Sequence, residues 1–378
     1  MDEMMDNRVT EQLDIGGAPG VLTIDLVALR QNYRTLSAMT APARTAAVVK
    51  ADAYGLGVDH VVPILLDAGC RDFFVAHLQE AARVKRLLAG SEARIFVLNG
   101  LQPGAEMACV TLGAVPVLNS LEQVENWAVV ARTIQTRLPA VLQFDTGMSR
   151  LGLPLEDAQA LAADFGRLEG LDILYVMSHL AVSEEPSNVQ NAAQLAVMRQ
   201  ASTLFPGIAV CFSNSGGIFL GRDYHGALVR PGIALYGGAA VAGVPNAMQP
   251  VLRLDVAVIQ TRKVPSGARI GYGGAHVTDS ERRLATIAAG YADGMPRSLC
   301  HRGGANYDGV RLPIAGAVSM DSITLDISDL PAETLKLGSF VELIGPNQTL
   351  EQLAQDAGTI PYEILTGLGR RFSRIHRY

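Results

Sequence analysis

Lys50 closes the apolar run Ala46 to Val49 and opens the stretch ADAYGLG. A lysine at the end of a buried strand can be desolvated, which favours the neutral, nucleophilic amine that Schiff-base chemistry with an aldehyde requires. The plainer reading of Lys50 alone is a cation facing water at a strand end. Other apolar runs also end in polar groups: Asp145 opens DTGMSRLG, Ser178 and His179 follow ILYVM, Asn214 and Ser215 precede a glycine pair, and Arg230 opens RPGIALYG. The glycine turns GGIFLG and PGI suit a phosphate held by backbone N–H groups. A lysine, a phosphate cradle and an arginine together describe a pyridoxal phosphate site. An arginine beside the pyridine nitrogen disfavours its protonation, weakening the ring as an electron sink and suppressing transamination.

The elements that must bring these groups together are a series of short apolar runs. Eight candidate strands lie at 45–50, 72–76, 94–99, 114–119, 140–145, 173–178, 208–213 and 227–230, with amphipathic stretches at 58–69, 78–89, 120–136, 155–165 and 188–204 between them. The connections GAEMACVTLG and GGIFLG are shorter, and a helix over DLVALRQNYRTLSAM precedes the first strand. Eight βα units in series favour a (β/α)8 TIM-type barrel, whose active site lies at the C-terminal ends of the strands. The rhythm stops at GAAVAGVPNAMQP, and the alternating segments beyond it suit a mainly antiparallel β-domain. The expected organisation is a flexible tail over 1–15, a barrel over 16–243 and a β-domain over 244–378.

Length and composition narrow the class. The 378 residues are 49% hydrophobic and 18% charged, which indicates a globular chain of more than one domain. A formal charge of −6 without a long basic run argues against nucleic-acid binding. Four cysteines without a CxxC pair read as reduced thiols in the cytoplasm, not as a metal site. No run of about 20 apolar residues suggests a membrane span, and the acidic N-terminus lacks the features of a signal peptide.

AVVKADAYGLG at 47–57 closely resembles the cofactor-lysine motif of bacterial alanine racemases, fold-type III pyridoxal phosphate enzymes. DTGMSRLG, SHLA, RPGIALYG, GYGG, GYADGMPR, VSMD and IPYEILTGLGRR follow in the family's order, so the resemblance spans nearly the whole chain. It implies a barrel followed by a β-domain, and a homodimer whose two sites each take residues from both subunits. It implies racemisation of alanine, supplying D-alanine for peptidoglycan or serving alanine catabolism. Lys50 would bind pyridoxal 5′-phosphate covalently and act as one acid/base group. Tyr272, from the partner's β-domain, would act on the opposite face of the substrate. A tyrosine hydroxyl is ordinarily a weak base at neutral pH, a difficulty that the His179 and Arg230 network would relieve.

By the same resemblance Tyr54, Ser215, Gly232, Ile233 and Tyr362 contact the phosphate, the glycine and isoleucine through backbone N–H groups. Arg150 would meet the cofactor's phenolic oxygen and the substrate carboxylate, with the Met320 N–H also on that carboxylate. Tyr291 and Asp321 are either supports there or packing and turn residues. Two positions depart from the family pattern. Gln143 stands where many members carry a carbamylated lysine that orients the arginine, so Arg150 needs the Gln143 carbonyl, an anion such as chloride, or another group to hold it. Leu56 replaces a frequent histidine, a tolerable change beyond the cofactor contacts.

Competing readings fit less well. A non-catalytic cofactor carrier has no use for a second base such as Tyr272. A metal-dependent barrel hydrolase would need an HxH pair, which is missing. A pyridoxal phosphate decarboxylase of amino acids matches GYADG and VSMD less closely. A broader or serine-preferring racemase stays open, although Tyr272 and Tyr362 should narrow the pocket towards a methyl group.

Overall fold

The computed structural model describes residues 17–274 and 276–378; the expected tail over 1–15 lies outside them. The chain divides into two compact units. One runs from Ala28 to Gln249, and the other joins the segment through Val27 to Pro250–Tyr378.

The chain enters through β1 (Gly20–Asp25), followed by the helix Leu26–Thr40. The first unit then places β2 (Arg44–Thr45), β3 (Ala47–Val48), β4 (Asp72–Val75), β5 (Arg94–Val97), β6 (Val115–Leu118), β7 (Leu138–Gln143), β8 (Leu171–Met177), β9 (Ala209–Cys211) and β10 (Leu228–Val229) in one parallel sheet. The path runs β2-β10-β9-β8-β7-β6-β5-β4-β3. Only Ala46 separates β2 from β3, and its N–H bonds to the Val229 carbonyl at 2.9 Å. The two pieces are therefore one interrupted strand, and the sheet closes into the expected eight-position barrel. All four strand positions Ala46–Val49 are buried, as an apolar run on a barrel wall requires. Phe74 and Phe96 stack in the core with ring centroids 4.5 Å apart. Both short connections carry helices, Glu106–Leu112 and Ser215–Phe219.

The second unit contains β11 (Leu252–Val264), β12 (Arg269–Ile270), β13 (His276–Val277), β14 (Arg282–Ile287), β15 (Gly304–Tyr307), β16 (Val310–Pro313), β17 (Ile323–Asp326), β18 (Phe340–Ile344) and β19 (Ser373–Arg377). The long β11 alternates buried and exposed positions in its first half and pairs antiparallel with β1, β14 and β18. The β1–β19 pairing is parallel and the others of this unit are antiparallel.

The division differs from the expected one at both ends. The segment GVLTID at Gly20–Asp25 is a strand of the second unit, paired with residues more than 220 positions downstream, not the start of the barrel. At the other boundary the barrel unit extends to Gln249 because Asn32 grips it. The Asn32 amide donates to the Leu235 and Gln249 carbonyls at 3.2 and 2.8 Å and accepts from the Gln249 N–H at 2.8 Å.

Candidate active site

Five strand ends deliver polar groups to the C-terminal face of the barrel. Tyr236 is fully buried and donates its hydroxyl to the Val48 carbonyl at 2.9 Å, while the Val48 N–H reaches the Pro231 carbonyl at 3.0 Å. The chain leading into Lys50 is thus fastened to the segment leaving β10. Lys50 is partly buried. Burial lowers its pKa, the Arg150 charge and, less, Arg230 act in the same direction, and the Glu80 carboxylate opposes them. The amine is therefore easier to deprotonate than a surface lysine, the state a nucleophile needs.

Beyond Lys50 the backbone turns the unusual way. Ala51, Asp52, Ala53 and Tyr54 have φ of 53, 55, 55 and 56°, a left-handed turn of four side-chain-bearing residues. Each such residue costs roughly 1–2 kcal/mol, so the surroundings must hold the turn. The Ala53 N–H returns to the Val49 carbonyl at 3.0 Å, and the Gly55 N–H to the Ala51 carbonyl at 2.8 Å. Tyr54 ends the turn buried, its ring 4.7 Å from that of Tyr236.

Arg230 is 3% exposed and fixed by carbonyls. Its Nη2 donates to Ser178 O at 2.7 Å and its Nη1 to Cys211 O at 3.2 Å. Burial lowers its pKa from the arginine range, but a guanidinium remains a cation at neutral pH. The same Nη2 lies 3.3 Å from His179 Nδ1. A guanidinium only donates, so that ring nitrogen accepts and is unprotonated. Burial, with Arg230, Arg150 and Lys50 nearby, holds the His179 pKa well below its ordinary value. The charge of the His179 and Arg230 network therefore rests on Arg230.

The cradle forms after β9 and β10. Ser215 Oγ accepts the N–H groups of Gly232 and Ala234 at 2.9 and 3.3 Å, drawing the backbone after β10 up to the hydroxyl. A Cβ on Gly232 would collide with the Tyr54 hydroxyl, and one on Gly217 would fall 2.7 Å from Leu180 Cδ1. Ile233 is fully buried beside them. A small acidic group could thus meet the backbone, a serine and a tyrosine together, next to a deprotonable lysine and a fixed arginine. This donor set fits a phosphorylated aldehyde cofactor.

Asp145 organises the loop that bears Arg150. Its Oδ1 accepts the N–H groups of Gly147, Met148 and Ser149 at 2.9, 3.0 and 3.1 Å, so its carboxylate shapes the loop. Arg150 is exposed at the end of it, and Gln143 is buried on β7. Among the described residues no hydrogen bond joins the Gln143 amide to the Arg150 guanidinium. Leu56 is fully buried and apolar, which suits its place behind the turn.

The second unit carries the remaining candidates. Tyr272 is 77% exposed on a one-turn segment, Tyr272–Gly274, between β12 and β13. Gly271 and Gly273 flank it at φ of 70 and 72°, angles that favour glycine. Met320, Tyr291 and Tyr362 are also exposed. The Tyr291 N–H bonds to Ser319 O and the Ala292 N–H to Met320 O, both at 3.0 Å, so the GYADG and VSMD loops lie together. Arg371 locks them: its Nε donates to Asp293 Oδ1 and its Nη1 to Asp321 Oδ1, each at 2.6 Å. Asp321 therefore acts as an anchor of the loop bearing Met320.

With this geometry in view, family models for the N-terminal and C-terminal domains of alanine racemase match residues 24–240 and 251–376. The chain belongs to the alanine racemase family. It is 63% identical over 370 residues to the catabolic alanine racemase of Agrobacterium fabrum, covering 98% of this chain and 95% of that protein. The crystal structure of the Bartonella henselae alanine racemase, described with covalently bound pyridoxal phosphate, superposes with a TM-score of 0.92 at 43% identity, covering 95% of this chain and 99% of that one. The biosynthetic alanine racemase of Pseudomonas aeruginosa gives 0.89 at 33% identity, covering 96% and 100%.

Three supporting groups were given no role in the sequence reading, two of them outside the quoted motifs. Glu80 accepts the Ala51 N–H at 2.6 Å. Gln194 is buried, and its amide donates to Thr146 Oγ1 and His179 O at 3.2 and 2.9 Å, tying the Arg150 loop to the histidine. Asp293, paired with Arg371, lies within the quoted GYADG motif, so its position was visible although its function was not. Glu80 and Gln194 sit on amphipathic helices where a charged or amide residue normally faces water, and no local pattern marks them.

Proposed function

We propose that this enzyme interconverts L- and D-alanine with pyridoxal 5′-phosphate held on Lys50. The observation that carries the reading is the half-buried Lys50 amine, its ammonium form disfavoured beside Arg150 and Arg230, at the barrel end that also bears the Ser215 and Gly232 cradle. When bound, the cofactor would withdraw electrons from the substrate's α-carbon and so acidify its α-proton. Tyr54, Ser215 and Tyr362, with the backbone N–H groups of Gly232 and Ile233, would hold the phosphate. Arg230, a fixed cation, would face the ring nitrogen and keep it unprotonated. Arg150 and the Met320 N–H would hold the substrate carboxylate, and Arg371 through Asp321 would keep the Met320 loop in place. Tyr291 would support the same loop.

Two bases account for inversion. Lys50 Nζ would take or return a proton on one face of the α-carbon, and Tyr272 Oη on the other, exchanging roles with direction. A base with unperturbed surroundings would suit this task less well than a lysine whose pKa is lowered towards neutrality. The exposed Tyr272, Met320 and Tyr362 support a homodimer that completes each site with the partner's Tyr272, since a large apolar group left in water is stabilised by a covering surface.

The 63% identity to a protein named catabolic favours a role in breaking down alanine over supplying D-alanine for peptidoglycan. A cytoplasmic location fits that role. Among the described residues no helix is long and apolar enough to cross a membrane, and no three His, Cys, Asp or Glu side chains are grouped to hold a metal. The test is to reduce one portion of the loaded protein with borohydride and map the labelled peptide, and to follow L-alanine by chiral analysis with the unreduced portion. Label on Lys50 and appearance of D-alanine are expected. Label elsewhere overturns the lysine assignment, while label on Lys50 without alanine turnover redirects the substrate search to serine and other amino acids.

A further inference from the structure

The left-handed turn after Lys50 is held from outside by one helix. Leu78–Leu87 follows β4, and its Glu80 carboxylate receives three backbone N–H groups. Oε2 accepts from Ala76 and His77 at 2.7 and 3.0 Å, which caps the helix, while Oε1 reaches across to the Ala51 N–H at 2.6 Å. One turn further on, Arg83 donates to Asp52 Oδ1 at 3.0 Å, and the same oxygen accepts the Val58 N–H at 2.9 Å. Arg83 also pairs with Asp59. A single helix face therefore grips the first two residues of the turn and its exit.

A helix cap alone does not require this. The cap needs one carboxylate oxygen, and the second could face water. Here it is spent on the residue directly after Lys50. Three N–H donors also demand a group that only accepts, because an amide in the same place would point an NH2 at one of them. We propose that Glu80 is a positioning residue for Lys50, fixing through the Ala51 N–H the left-handed turn that orients the amine, with Arg83 securing the same turn at Asp52. The inference rests on Lys50 being the aldehyde-binding lysine.

Charge adds a second consequence. Lys50 is faced by Arg150 and Arg230, which lower its pKa, and by Glu80, which raises it, while the adjacent His179 is neutral. Glu80 thus offsets part of the lowering that burial and the two arginines impose on Lys50, while it fixes the geometry. Removing the Glu80 charge should lower the Lys50 pKa further, whereas removing Arg83, which exerts no such influence, should leave it in place.

The experiment measures how fast cofactor-free full-length protein captures added pyridoxal phosphate on Lys50, trapped with borohydride, as a function of pH. Glu80→Gln should slow capture about tenfold or more, the order expected for a misplaced reacting group, and move the midpoint of the pH profile down. Arg83→Met should slow capture with the midpoint unchanged. Ser120→Ala, which removes the cap that Ser120 Oγ provides to the Gln123 N–H at 3.2 Å on another helix, controls for simple loss of a cap and should capture normally. If Glu80→Gln does not fold, Glu80→Asp decides: the retained charge should preserve the midpoint while the shorter reach slows capture. A Glu80 variant that melts earlier yet captures at the wild-type rate and midpoint makes Glu80 only a helix cap and overturns the proposal. Wild-type protein that takes up pyridoxal phosphate at another lysine overturns the Lys50 assignment and this inference with it.

Discussion

Two features mark the barrel end: a half-buried amine near two guanidinium groups, costly unless an anion is to be bound there, and a hydroxyl that gathers two backbone N–H groups. Gly232 tests the second of them. Its backbone lies outside the glycine-favouring region, so alanine fits the chain, but the added methyl meets the Tyr54 hydroxyl. Gly232→Ala should weaken pyridoxal phosphate binding about tenfold, near ~1.4 kcal/mol, with a smaller effect on kcat of the loaded enzyme; equilibrium dialysis against the cofactor reads this directly. The residue types were legible because each stands at the end of an apolar run within a motif. What sequence could not supply was the partner of each: the unprotonated Nδ1 of His179 is fixed by Arg230, 51 positions away, and Arg150 carries no mark of what holds it.

At the scale of elements, the barrel strands were readable because several, such as β4, β6 and β10, are buried along their whole length and so appear as apolar runs. β1 was not. Its six residues pair with β11 and β19, and only those distant partners make GVLTID a strand. The short helices Glu106–Leu112 and Ser215–Phe219 were also weakly marked, since neither is long enough for a clear 3.6-residue period. The opposite end of the barrel has its own device. Asp72, 1% exposed at the start of β4, lies 2.5 Å from Arg44 and 2.8 Å from Arg94, which begin β2 and β5. Removing its charge leaves two guanidinium groups facing a neutral amide. Asp72→Asn should cost roughly 2–3 kcal/mol of stability and leave KM for alanine unchanged, as a denaturation midpoint and a kinetic assay would establish; equal stability would mean that the two arginines find water instead.

For the whole molecule, the proposed shared site has a simple consequence. Mixing Lys50→Ala and Tyr272→Phe subunits creates hybrids in which one of the two sites has both bases intact, so random reassembly should restore about a quarter of wild-type activity. No recovery after demonstrated exchange would place both bases in one chain. The break in rhythm near 238–250 falls at the end of the barrel unit, Gln249, but the segment before the first helix belongs with the β-unit, a pairing that no local pattern reports.

In the proposed mechanism Lys50 and Tyr272 work on opposite faces of one carbon. L- and D-alanine are isoenergetic, so kcat/KM must stay equal in the two directions even in a variant, and the asymmetry has to be read from α-proton exchange. The decisive measurement follows deuterium uptake from deuterated water into each enantiomer separately by Tyr272→Phe. Two opposed bases lead to α-deuterium in one enantiomer without inversion, because Lys50 still serves its face, and almost none in the other. Equal loss of exchange from both enantiomers, or racemisation that continues at the wild-type rate, would contradict this mechanism.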